Sequence, residues 1–108
     1  MESLRAYRQL HILEDVGFEW DPKKNRANIR RHGIDFADAI AIFGSPCVEG
    51  PDDRYNYGEE RMIAYGQMGP HVVVVVLSFR NGRRRIISAR KATRAESKAY
   101  WEIVYGNR

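Results

Sequence analysis

The chain is poor in several residue types, and each shortage excludes something. It has a single cysteine, Cys47, in 108 residues, which rules out an internal disulfide framework and suits a reducing compartment, so a cytoplasmic protein is expected. Long apolar runs are missing too. The longest, Val72 to Leu77, has six residues, far short of the roughly 20 that span a bilayer, so no membrane association is expected. Met1 to Val16 carries charges every few residues and lacks the apolar stretch of a secretory signal. No internal repeat or low-complexity segment occurs, and the length leaves room for one domain over residues 1–108, with 18–105 as its body and 1–17 as an N-terminal extension.

Chemical motifs are scarce as well. His11, His32 and His71 fall in separate predicted elements, away from Cys47, with no metal-ligand spacing among them. The pairs Asp52-Asp53 and Glu59-Glu60 lie in a turn-rich segment where hydration accounts for them, and they do not make the converging carboxylates of a two-metal nuclease. No Gly-x-Ser-x-Gly elbow is present, and Gly66 and Gly69 flank no Lys-Ser/Thr pair of a phosphate-cradling loop. Neither metal nor cofactor is expected.

Arginine is what the chain has in quantity. Of 18 basic residues, 14 are Arg and 4 are Lys, within a net charge of +4. The planar guanidinium fork matches two phosphate oxygens at once. Residues 80–94 hold seven bases and no acid, whereas 49–60 hold five acids and one base. A surface this rich in Arg is the electrostatic footprint of a polyanion-binding protein, most simply one that binds nucleic acid. A merely solvated strand face is the plain alternative.

The element order predicts an α+β fold. Gly17 to Trp20 reads as a short strand, and Leu4, Tyr7, Leu10 and Leu13 before it as a weak helical stripe. Asp21-Pro22 starts a helix that runs to His32 and stops at Gly33. Asp35 opens a second helix with an apolar stripe of Phe36, Ile40 and Phe43, closed by Gly44 and Pro46. A short strand near Val48 follows, then strands at Arg61 to Gln67 and at His71 to Arg80, the latter too apolar to face water on both sides. Asn81-Gly82 signals a hairpin into Arg83 to Arg90. Thr93 to Glu96 is a capping box, and Ala95, Ala99, Tyr100, Ile103 and Val104 give the last helix its buried face. Two helices, an antiparallel meander and a C-terminal helix on one sheet are expected.

Lys24, Asn28 and His32 recur at i, i+4 and i+8, on one face of the first helix, with Arg31 beside them. A solvated helix face explains such a stripe equally well. Histidine, however, exchanges a proton near neutral pH, which Arg does not.

Larger motifs surround these residues. Phe18 to Asn25, then Asn28, then Arg31-His32-Gly33-Ile34-Asp35-Phe36 open the pattern. Glu60-Arg61, Gly66, a valine-rich strand ending in Arg80, and Ile86 to Glu96 with Tyr100 complete it. Together they resemble the BrnT toxin family over about residues 18 to 105. Arg31 stands where that family often has Lys, Gln67 where a base is common, and Leu77-Ser78-Phe79 replaces a frequent Tyr-Thr pattern. The resemblance implies a RelE-like ribonuclease fold and a type II toxin that cleaves RNA without a metal and blocks translation. It implies neutralisation by a BrnA-like ribbon-helix-helix antitoxin, with operator DNA bound only through the joint complex. Carried over by motif position, the site residues are Lys24, His32, Arg61, Arg80, Arg90 and Tyr100.

A metal-free ribonuclease uses the substrate's 2′-hydroxyl as nucleophile, one group to move a proton, and fixed cations for the charge that develops on the phosphoryl oxygens. His32 is the expected proton-transfer group, and Arg61, Arg80 and Arg90 are the expected catalytic cations. Lys24, Asn28, Arg31 and Tyr100 are expected to contact substrate, although Tyr100 reads equally as a core aromatic. A non-catalytic RNA- or DNA-binding module and a toxin that only occupies the ribosome remain open alternatives. A two-residue Asn81-Gly82 turn also sets a constraint. Val73 would then oppose Arg90, placing Arg80 and Arg90 on opposite sheet faces unless a bulge intervenes.

Overall fold

The computed structural model describes residues 17–106, except Tyr55, Asn81 and the side chain of Arg80. The stripe from Leu4 to Leu13 and nearly all of the N-terminal extension lie outside the described residues. Strand β1 (Phe18–Glu19) leads into helix α1 (Pro22–His32). The Asp21 carboxylate accepts from the Lys23 N–H at 2.8 Å, and Pro22 occupies the first turn, where no N–H is needed. Gly33 ends the helix at φ 74°, donating its N–H to the Ile29 carbonyl.

The second expected helix divides in two. Asp35 caps α2 (Phe36–Ala39), and the chain then tightens into a 3₁₀ segment, Ile40–Gly44. Phe36, Ala39, Ile42 and Phe43 are fully buried, whereas Ile40 is only half-buried.

Strands β2 (Val48–Pro51), β3 (Arg61–Met68), β4 (His71–Arg80) and β5 (Arg83–Lys91) form the antiparallel meander, and helix α3 (Arg94–Tyr105) follows. The sheet order is β1-β5-β4-β3-β2. The sheet is mixed rather than wholly antiparallel, because β1 pairs in parallel with β5, Phe18 opposite Arg84 and Glu19 opposite Arg85. β5 is the last strand of the meander, and its outer edge is open until β1 closes part of it.

Helices cover both faces of this sheet. On one, Ala64, Val73, Val75, Leu77, Ile86 and Ala89 meet Ile34 from the α1–α2 connection, Phe36 and Ala39 from α2, and Ile42 and Phe43 from the 3₁₀ segment. Contact there is close enough to require glycine: a Cβ on Gly66 would lie 2.7 Å from the Ile42 Cβ and 2.9 Å from its carbonyl oxygen. On the other face, Val48, Ile63, Tyr65, Val72, Val74 and Val76 cluster with Tyr100 of α3.

Two further expectations are corrected. Leu77 pairs with Ile86 but Val76 pairs with Ser88, so Ile87 is an extra residue in β5. This bulge reverses the side-chain alternation, so Val74, not Val73, opposes Arg90. The buried face of α3 is also narrower than its apolar pattern suggests. Tyr100 is buried and Val104 half-buried, but Ala95 is exposed and Ile103 is 38% exposed. The long Tyr100 ring stands between helix and sheet, its hydroxyl donating to the Pro46 carbonyl at 2.6 Å. It holds the smaller residues off Val48 and Tyr65, leaving an apolar groove of ≈ 130 Å³.

Candidate active site

Lys24, Asn28 and His32 share one face of α1, yet the structure gives them different work. Lys24, Arg31 and His32 are exposed and, with Ala27, Ile87 and Ser88, line an open cleft of ≈ 260 Å³ between α1 and the bulged edge of β5. Asn28 is buried beside them. Its amide donates to the Ala89 carbonyl at 2.8 Å and the Ile34 carbonyl at 2.9 Å, and its oxygen accepts from the Ala89 N–H at 3.2 Å. Both amide protons are thereby used. Asn28 replaces the strand neighbour that β5 lacks at this point and fixes α1 relative to the bulge.

On the face that carries α3, the apolar cluster ends at Ile63 and Val76. The next row toward the β4–β5 hairpin is polar: Arg61 opposes Ser78, and Ser78 opposes Arg85. Arg61 is braced from two sides. Its Nε donates to Glu59 at 3.0 Å, and its guanidinium lies 3.9 Å from the centre of the Tyr57 ring. The loop that supplies these partners is tied down by Asp52, whose nearly buried carboxylate takes the Arg54 fork at 2.7 and 2.9 Å. That contact, above all, holds the Asp52 carboxyl below its usual range. Glu19 of β1 accepts from Arg83 at 3.0 Å and from Arg85 at 3.3 Å.

Arg90 is differently engaged. Its fork closes on Glu96 at 2.8 and 3.0 Å, and Glu96 also accepts from the Thr93 N–H at 2.8 Å. The Arg90 hydrogen bonds are the main reason the Glu96 carboxyl is lowered to about 2. Arg90 thus moors the first turn of α3 to β5. The bulge gives position 80 the same pleat parity as Arg90, correcting the opposite-face expectation. The two remain six residues apart along β4, since Arg80 pairs with Arg83 and Val74 with Arg90, a separation of about 20 Å. One phosphate cannot draw both forks at that spacing without large side-chain movement.

Tyr100 is a strut. Besides donating to Pro46, its hydroxyl accepts from Gln67 at 3.0 Å, and its ring meets Trp101 edge-on at 5.0 Å. Burial pushes the phenol above its ordinary value.

Sequence reasoning overlooked Glu19, Tyr57, Glu59, Ser78 and Arg85. Arg85 had a signal in the Arg-rich stretch 80–94, and Glu96 had one in the capping box. The acidic segment 49–60 read as hydrated because nothing local reveals that it folds back on Arg61. Among the described residues no group of three or more His, Cys, Asp or Glu side chains converges, and no helix is long and apolar enough to cross a membrane.

A basic strip on one sheet face, joined at the β5 edge to a cleft bearing a histidine, defines a protein built to act on a polyanion. Residues 20–96 match the family model described as ribonuclease toxin, BrnT, of type II toxin-antitoxin system, and the chain belongs to that family. It is a ribonuclease toxin, with RNA as its substrate class and a protein antitoxin as its partner. The match spans the α1 cleft, every strand of the meander and the Glu96 cap. A search of curated proteins finds no match to the chain.

Proposed function

We propose that the chain is a metal-independent endoribonuclease of RelE-like fold that inhibits translation and growth in the cytoplasm. The substrate's 2′-oxygen attacks the adjacent phosphorus, a 2′-O–P bond forms, and the P–O5′ bond breaks. The 2′-hydroxyl proton leaves to a base, and a proton reaches the departing 5′-oxygen. His32 performs one of these transfers. The products are a 2′,3′-cyclic phosphate and a 5′-hydroxyl. Arg61 and Arg80 supply cations for the phosphoryl oxygens, and Lys24 and Arg31 hold flanking phosphates. Arg90, Asn28 and Tyr100 act by position: Arg90 through Glu96, Asn28 through the β5 edge, and Tyr100 through Pro46.

One observation carries this reading. His32 lies in an open cleft whose other charged members, Lys24 and Arg31, are cations, beside the bulge that adjoins the basic strip. The neutralising partner is a BrnA-like ribbon-helix-helix antitoxin, which brings the toxin to operator DNA. Its acidic segment competes with RNA for the strip, where the positive field is strongest.

The test is RNA cleavage by purified toxin in EDTA, with the product ends identified. Cleavage should persist and leave cyclic phosphate ends. His32→Ala should slow it by about 10²–10⁴-fold, the span of a general acid or base, while melting temperature is retained. A His32→Ala protein that cuts at the wild-type rate removes His32 from the mechanism, and a wild-type protein that binds RNA without cutting it is a binding module.

A further inference from the structure

Ser78 is the anomaly of the basic strip. Its side chain is 1% exposed, and its Oγ has no hydrogen-bond partner among the described residues. Buried hydroxyls are normally satisfied, so one that is not marks a site awaiting a partner or a strain retained for another reason. Its surroundings favour the first. Ser78 sits in the middle of the transverse row, with Arg61 across one strand boundary and Arg85 across the other. Directly opposed residues have Cβ atoms about 5 Å apart, so the hydroxyl lies between the roots of two arginine side chains on one pleat face.

Each of these arginines is held but not saturated. Arg61 gives Nε to Glu59 and stacks on Tyr57, with no hydrogen bond from either of its terminal nitrogens to a described residue. Among the described residues Arg85 donates only from Nη1, to Glu19. Glu59 and Glu19 orient the forks from outside the row. Ser88, which lines the His32 cleft, opposes Val76, two residues along β4 from Ser78 and so about 7 Å away. The row and the cleft are neighbouring stations across one strand.

We propose that Arg61, Ser78 and Arg85 form a phosphate subsite for the RNA backbone, in which the Ser78 hydroxyl donates to a phosphodiester oxygen as the two guanidinium groups close over it. The subsite rests on the ribonuclease reading for its ligand, and it adds Ser78 and Arg85 to the Arg61 cation which that reading assigns to the phosphoryl oxygens. Binding requires the arginine side chains to part, exposing the hydroxyl, and converts an unsatisfied donor into a charge-assisted one.

The test uses the intact protein and a single-stranded 2′-O-methyl RNA oligonucleotide, which cannot be cleaved, read by fluorescence anisotropy over a salt series. Ser78→Ala should weaken binding about tenfold, yet leave the melting temperature unchanged or raised, because the lost hydroxyl was unsatisfied. Arg85→Gln should reduce the slope of log affinity against log salt by about 0.7, one contact on a single strand. Arg85→Lys, which keeps the charge without the fork, should restore the slope but only part of the affinity. Wild-type affinity in Ser78→Ala overturns the subsite. So does a subsite that binds inorganic phosphate in a Ser78-dependent way while RNA affinity ignores the substitution. Failures are separable. Ser78-dependent RNA binding by a protein that cleaves nothing leaves the subsite standing and sinks the ribonuclease mechanism. Cleavage through a Ser78→Ala protein of unchanged affinity does the reverse.

Discussion

The two faces of the sheet use the same strands and end as opposites. In β4, Val73, Val75 and Leu77 face the α1–α2 layer, while Val74, Val76 and Ser78 face the side of α3. The first face is apolar from Val73 to Leu77 and packed to the point where Gly66 admits no side chain. The second is apolar only as far as Ile63 and Val76, then gives way to Arg61, Ser78 and Arg85. One face holds the fold together. The other gives its hairpin end to charge, beyond a smaller apolar cluster of its own.

Substitutions should separate the faces, and the largest effect belongs to the packed one. Gly66→Ala drives a methyl into Ile42, and should cost about 2–3 kcal/mol, or roughly 10–20 °C in melting temperature by calorimetry. RNA affinity of the folded fraction should be unaltered. If Gly66→Ala melts like wild type, the close-packed description of that face is wrong.

Asn28→Ala comes next. It strands the Ala89 N–H and carbonyl and the Ile34 carbonyl, and should cost about 2 kcal/mol in denaturant titration. Cleavage should fall as well, since α1 carries His32 and is no longer registered on the bulge. A stability loss with intact cleavage would show that the cleft does not depend on this clamp.

The Arg90–Glu96 pair is smaller. A double-mutant cycle with Arg90→Ala and Glu96→Ala should give a coupling of about 1 kcal/mol, modest because both side chains are partly exposed. Its pH dependence has a definite sign. The Glu96 carboxyl is lowered from 4.5 to about 2 on folding, so its stabilisation is complete above about pH 4.5 and is lost as pH falls toward 2. Acid unfolding of Glu96→Gln should be flatter through that window than that of the wild type.

The smallest stability change should come from the open face. Arg61→Gln should shift stability by less than about 0.5 kcal/mol while weakening RNA binding and lowering the salt slope by about 0.7. A large melting shift there would mean that the strip is structural after all.

Much of this molecule was legible in its residues because the signals act over three or four positions. Asp21-Pro22 and Gly33 bound α1, Thr93 and Glu96 cap α3, and the stripe of Lys24 and His32 reaches a common cleft, each through contacts within a helical turn or two. The BrnT motifs likewise belong to the linear chain. Function within the strip was harder to read. Nothing in Ile86-Ile87-Ser88 announces a bulge, although that one extra residue decides which side of the sheet Arg90 occupies. The apolar pattern of α3 did not disclose that Tyr100 would hold the helix away from the sheet. Nor could arginine content tell a braced fork such as Arg61 from one closed on Glu96.

What the amino-acid sequence determined by itself was the set of elements, their caps and the abundance of phosphate-binding cations, because propensity, capping and charge act locally. What only the tertiary structure decided was strand register and which carboxylate meets which arginine. Partners far apart in the chain, such as Arg61 with Ser78 at 17 residues and Glu19 with Arg85 at 66, meet only when the sheet assembles, and pleat alternation turns a single inserted residue into a change of face.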